Sequence, residues 1–75
     1  MPPSYYVKAI WDAEADVWCS ETNVPGLVVE CATLAEFEDV ATSLASELLA
    51  ENVSLHGVSV PFSFSAESVR QLKVA

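Results

Sequence analysis

The chain has 75 residues, and its eleven acidic side chains against three basic ones give a formal charge of -8. A chain this short buries only roughly 60% of the surface that its unfolded form exposes, which excludes a two-domain enzyme and leaves a marginal core that self-association would help. Its 52% of hydrophobic residues and mean hydropathy of +0.34 exclude a disordered acidic tail, whose composition cannot form a core.

Tyr5 to Trp11 is rich in aromatic and branched residues and reads as a first strand, with Tyr5, Val7, Ala9 and Trp11 on one face and Lys8 on the other. Asp12 to Asp16 supplies turn formers and charge, and Val17 to Thr22 resumes strand character, so the two segments are expected to pair as a hairpin. Asn23-Val24-Pro25-Gly26 follows. Proline fixes φ near -65° and glycine accepts positive φ, the chemistry of a tight turn, after which Leu27 to Cys31 reads as a third strand that completes a meander.

Thr33-Leu34-Ala35-Glu36 has the spacing of a capping box, in which the threonine hydroxyl and the glutamate carboxylate each satisfy an amide at a helix start. From Leu34 the residues Phe37, Val40, Ala41, Leu44, Ala45, Leu48 and Leu49 recur at spacings of three and four. Glu36, Asp39, Ser43, Ser46 and Glu47 fill the other side, predicting a helix that lays one face on the sheet and ends near Glu51 to Asn52. Val58 to Ser65 alternates between apolar and small polar residues, the period of a strand with one buried face. Pro61 lacks an N–H, which suits an edge strand. Residues 66–75 read as a short helix or a tail. The expected fold class is α+β, in the order β-β-β-α-β: a three-stranded antiparallel meander plus a fourth edge strand, with one long amphipathic helix packed on one sheet face, all in a single domain over 1–75 with its core about 5–65.

The longest uncharged stretch, Asn52 to Ala66, is broken by His56, Gly57, Pro61 and serines and falls short of the ~20 apolar residues that cross a bilayer. Met1-Pro2-Pro3-Ser4 has neither the basic nor the apolar region of a secretory signal, so the cytoplasm is the expected compartment, no membrane is involved, and the triplet Asn52-Val53-Ser54 is a chance match to a glycosylation site. Residues 1–51 hold ten acids against Lys8, a net of -9, whereas 52–75 hold Glu67 against Arg70 and Lys73, a net of +1. Three scattered cations cannot supply the phosphate neutralisation that nucleic-acid binding requires, so no direct nucleic-acid partner is expected. An acidic surface does speed association with basic proteins, besides keeping a small apolar domain in solution.

Asn23-Val24-Pro25-Gly26-Leu27, followed seven residues after Gly26 by Thr33-Leu34-Ala35-Glu36 and then Phe37 on a long amphipathic helix, resembles the HicB-like antitoxin family over about residues 5–62. The resemblance implies a partial RNase H-like fold with the fourth strand beside the first. It also implies a protein that neutralises a small basic ribonuclease toxin by covering its surface. Full-length members often add a DNA-binding segment for autorepression. Only eleven residues follow Phe64, too few for a helix-turn-helix or a ribbon-helix-helix unit, so that role is not carried over. The chain is more similar to the short stand-alone members, whose function is generally undefined. It also has Ala32 and Ala35 where the family often places acids around Thr33.

Asp12, Glu14 and Asp16 alternate through the first hairpin, where an RNase H-like nuclease would hold divalent metal. Such a site needs carboxylates converging from separate elements, and these three share one turn, so a solvated turn is expected, with no metal, no cofactor and no enzyme. The loop also lacks the glycine and the terminal glutamate of an EF-hand. Two glycines in the whole chain exclude a phosphate-cradling loop. Cys19 and Cys31 lie on adjacent strands, opposite one another or on different faces according to register; free thiols are expected in a reducing compartment, and no nucleophile signature pairs either with His56. A sheet covered by one helix leaves a face bare. Tyr6 and Ile10, with Trp18, are the candidates to line it as anchors for a partner or a second copy in a dimer. Asp12, Glu14, Asp16, Glu36 and Asp39 are the candidates to steer a basic partner. The expected function is a non-enzymatic interaction module that binds a small basic toxin-like protein; the rival readings are a stand-alone homo-oligomer, with or without a ligand at its subunit interface, and a metal-dependent nuclease.

Overall fold

The computed structural model describes residues 4–53 and 55–75. The opening Met1 to Pro3 and Ser54 of the glycosylation triplet lie outside them. Four strands and one helix follow the expected order: β1 (Tyr5–Asp12), β2 (Val17–Thr22), β3 (Glu30–Cys31), α1 (Leu34–Asn52) and β4 (Phe62–Glu67). The strands form one sheet ordered β3-β2-β1-β4, in which β1 pairs antiparallel with β2 and parallel with β4. The fourth strand therefore lies beside the first and forms an edge.

The tip of the first hairpin is set by Asp12, whose Oδ1 accepts from the N–H groups of Glu14, at 3.0 Å, and Ala15, at 3.3 Å. This local bond is the reason aspartate favours turns. Asp16 then takes φ 56°, a left-handed conformation that aspartate tolerates better than most residues. The hairpin registers Trp11 against Trp18, and the two indoles meet edge to face with centroids 5.3 Å apart.

Pro25 and Gly26 occupy the middle of a type II turn: Leu27 N–H donates to the Val24 carbonyl at 3.2 Å, and Gly26 has φ 80°. The third strand is shorter than the Leu27 to Cys31 expected. Val24, Leu27 and Val29 are all buried, so the segment follows the core rather than the flat line of a ladder. Ser20 holds it at one point, with its N–H donating to the Val29 carbonyl at 3.1 Å and its Oγ accepting from the Val29 N–H at 3.0 Å. Only Glu30 and Cys31 pair regularly with β2.

Thr33 caps α1 with extended backbone, and its Oγ1 accepts from the Glu36 N–H at 3.2 Å. Phe37, Ala41, Ala45 and Leu49 are the buried stripe of the helix, and with Val7, Ala9, Val24, Leu27 and Val29 they make the core. Leu34, Leu44 and Leu48 pack at its margin, whereas Val40 is 41% exposed. Thr33→Ala would free the Glu36 amide and cost about 1 kcal/mol, lowering the thermal midpoint by roughly 4–8 °C in a far-ultraviolet circular dichroism melt.

The alternating run at Val58 to Ser65 is not all strand. β4 begins one residue after Pro61, whose carbonyl accepts from the Tyr5 N–H at 3.0 Å, and it runs on through Ala66 to Glu67. Val60, Phe62 and Phe64 reach the core margin, but Val58 is 61% exposed. Beyond Glu67 the backbone has no regular structure and every residue of 68–75 is exposed.

Candidate interaction surfaces

Because α1 and the core occupy one side of the sheet, the residues of opposite parity face away from them. β1 contributes Tyr6, Lys8, Ile10 and Asp12 to that open face, β2 contributes Val17, Cys19 and Glu21, and β4 contributes Ser63, Ser65 and Glu67. Tyr6 and Ile10 are 39% and 38% exposed in the central strand, where a covered sheet would bury them. Ile10 sits opposite Cys19 on β2 and Glu67 on β4. The apolar strip of Tyr6, Ile10, Val17 and Cys19 is thus bordered by Asp12, Glu21, Glu30 and Glu67. Among the described residues Lys8 is the one cation on the strands of this face, and its Nζ lies 3.6 Å from both Glu21 and Glu67, spanning three strands. These pairs are solvent exposed and add little stability, but they leave the face with net negative charge.

Trp18 does not belong to this face. It stands opposite Trp11 in the register, so the edge-to-face pair lies on the helix side and Trp18 packs against the core. Glu36 and Asp39 are exposed on α1, in the other layer from Tyr6 and Ile10. Glu14 and Asp16 lie exposed at the hairpin tip, at the Asp12 end of the open face. The Asp12 carboxylate already closes the turn, and among the described residues no group of three His, Cys, Asp or Glu side chains is placed to hold a metal ion. Pro25, Gly26, Thr33, Leu34 and Phe37 have structural work in the turn, the cap and the core, as described above.

The two cysteines face opposite sides of the sheet, because Trp18 pairs with Cys31 and Cys19 with Glu30. An intrachain disulfide would therefore have to pass through the ladder. Cys31 packs at the core margin, whereas Cys19 lies on the open face. Burial among its neighbours, then the carboxylates of Glu30 and Asp12, push the Cys19 thiol above the ordinary cysteine range. It stays protonated at neutral pH and is a poor nucleophile. Alkylation of Cys19 in the folded protein should accordingly reach its half-maximal rate at a higher pH than the same thiol in urea, and Glu30→Gln should move that midpoint back down; peptide mass mapping of iodoacetamide adducts reads both.

Asn23, just ahead of the Pro25-Gly26 turn, has a structural role that its neighbours in sequence do not reveal. Asn23 Oδ1 accepts from the Tyr6 N–H at 2.8 Å and its Nδ2 donates to the Ser4 carbonyl at 3.2 Å, so its amide pairs with β1 after β2 has ended. Thr22 adds a bond from its hydroxyl to the Tyr6 carbonyl and accepts from the Val24 N–H at 3.1 Å. Asn23 thereby holds the end of β1 that carries Tyr6.

On the helix side, a groove of about 430 Å³ runs between the second half of α1 and residues 55–62. Its apolar walls are Ala45, Leu49, Leu55, Val58, Val60 and Phe62, and His56 lies on its rim beside Gly57. No helix among the described residues is long and apolar enough to cross a membrane.

A hypothetical protein from the extremely thermophilic bacterium Thermus thermophilus, TTHA1013, has a similar crystal structure. It is 37% identical, with a TM-score of 0.69 over 96% of this chain and all of that one. No curated protein matches the chain. Residues 4–75 match a domain family described only as a domain of unknown function, DUF1902, and the chain belongs to that family.

Proposed function

We propose that this domain is a non-enzymatic protein-interaction module of the HicB-like antitoxin type, whose open sheet face binds a small basic toxin-like protein. The observation that carries the reading is that face itself: two large side chains, Tyr6 and Ile10, more than a third exposed in the central strand of a sheet and bordered by acids. Aromatic and aliphatic anchors supply most of the energy of an interface, and a charged border sets the encounter rate and the choice of partner. The acids select a basic partner, and the hairpin tip with Glu14 and Asp16 extends the negative field at one end. The order of elements, the Pro25-Gly26 turn and the Thr33 cap agree with the resemblance that suggested the role.

Affinity capture of the tagged protein from its native lysate, at low and high salt and read by intact mass, tests this. A stoichiometric small basic protein, retained best at low salt and lost when Tyr6 and Ile10 are replaced, is the expected result. Recovery of the chain alone, or capture that ignores the two substitutions, overturns it. A second reading, a self-associating module without a toxin partner, is favoured by a separate observation: the exposed residues 68–75.

A further inference from the structure

Val69, Leu72 and Val74 are 84%, 85% and 83% exposed, the most exposed large hydrophobic side chains in the described structure. They lie on an arm, residues 68–75, that makes no part of the core. The molecule is also elongated. The radius of gyration is 14.4 Å, against about 11 Å for a compact chain of this length. The principal extents are 52 × 24 × 17 Å, and the long one is about twice the ~26 Å of an eight-residue strand such as β1, as expected if the arm prolongs the sheet.

We propose that the arm is exchanged: two copies associate about a two-fold axis, their β4 edges run antiparallel, and each arm lies along the groove of the other copy. This rests on the self-association reading above and adds which parts meet. Three observations select a second copy as the occupant. The groove is walled by Val58, Val60 and Phe62, the residues just before and at the start of β4, whereas the arm leaves from the end of β4. An arm reaching its own groove must reverse at once, yet Ala66 to Ala75 contains no Gly, Pro, Asn or Asp to make the turn. If two β4 edges pair antiparallel, no reversal is needed. The arm of one copy then continues straight past Phe62 of the other, towards Val60 and Val58. β4 has an unpaired outer edge that such pairing would satisfy.

Charge gives the third observation. Two of the three cations of the chain, Arg70 and Lys73, are in the arm, and none of its eleven acidic residues is. Glu38 and Asp39 lie exposed on α1, four and three residues before Thr42, one helical turn beyond the end of the stripe that lines the groove. The groove itself is lined by apolar and small polar residues, so the arm's Val69, Leu72 and Val74 suit its walls and Arg70 and Lys73 suit the two acids beyond its end, and the two-fold makes the contact twice.

The test uses the full chain. Light scattering on a sizing column should give a two-chain mass for the natural sequence and a one-chain mass for the double variant Val69→Asp, Leu72→Asp, with unchanged circular dichroism because those exposed residues lie outside the core of their own copy. A one-chain mass for the natural sequence overturns both self-association and the arm. A two-chain mass in the variant overturns the arm alone. Photoreactive benzoylphenylalanine at position 72, in a mixture of ¹⁴N and ¹⁵N chains, should give crosslinks of mixed isotope to residues 55–62. Crosslinks confined to one isotope, or absent from that segment, overturn the exchange. Replacing Tyr6 and Ile10 should leave the two-chain mass in place, which separates this interface from the one on the open face.

Discussion

Phe37→Ala is expected to leave most of the chain unfolded at 25 °C. Phe37 and Val7 are the largest side chains with no exposure, and Phe37 meets Phe64 of β4 with ring centroids 6.0 Å apart. It thus ties the first turns of α1 to the strand that arrives last in the sequence. Truncating a buried phenylalanine removes its transfer free energy and leaves a cavity, together costing about 3–5 kcal/mol. A chain of this length has a total of only about 4–11 kcal/mol, and small domains fall towards the lower end. A urea titration followed by tryptophan fluorescence should find no folded baseline for the variant. Phe37→Leu, which keeps most of the volume, should retain a cooperative transition with a loss of about 1–1.5 kcal/mol.

The second large effect belongs to the open face. Tyr6→Thr combined with Ile10→Thr should weaken capture of the proposed basic partner by about 100-fold or more, since losing two anchors costs about 3 kcal/mol or more in a well-packed interface. Threonine is β-branched and suits a strand, so β1 should keep its ladder and the melting curve should move little. Binding titrations at two salt concentrations separate the contributions. The double variant should keep the salt dependence of the natural protein, because Asp12, Glu21, Glu30 and Glu67 remain. Unchanged affinity would remove the open face from consideration.

How much of this was legible in the sequence depends on which residues carried a local signal. β1, β2 and α1 are legible because Tyr5 to Trp11 is rich in aromatic and branched residues, Asp12 makes its own turn, and Thr33 caps a three-four apolar pattern. The third strand is shorter than its apolar run, because Leu27 and Val29 are apolar for the sake of the core and Ser20 ties only Val29 to β2. The fourth begins later than its alternation does. Alternation continues from Val58 across Pro61, but a ladder needs a partner, and β1 begins only at Tyr5, opposite Phe62. The faces of Trp18 and Cys19 depend on register, where a slip of one residue exchanges every side chain between the two sides. Composition holds no record of that register; the bonds from Asp12 in the turn do. The open face, with Tyr6 and Ile10 on it, is legible because one helix covers only one side of a sheet. The role of Asn23 is not, because its partners Ser4 and Tyr6 are remote in sequence.

The central strand of the sheet is also the first of the four to be synthesised. β1 finds β2 at once through a short turn, but its other neighbour is β4, which follows only after the whole of α1. At the usual pace of translation the chain from Tyr5 to Phe62 takes on the order of several seconds to appear, during which Val7 and Ala9 have no Phe64 beside them. The hairpin and helix must hold together as a partial structure for that time, with one flank of the nascent sheet unpaired. Closure by β4 is a long-range, parallel contact, the kind whose loop-closure entropy slows folding most. A growing chain of this design is therefore most exposed to misassembly with its neighbours on the same message just before its last strand emerges.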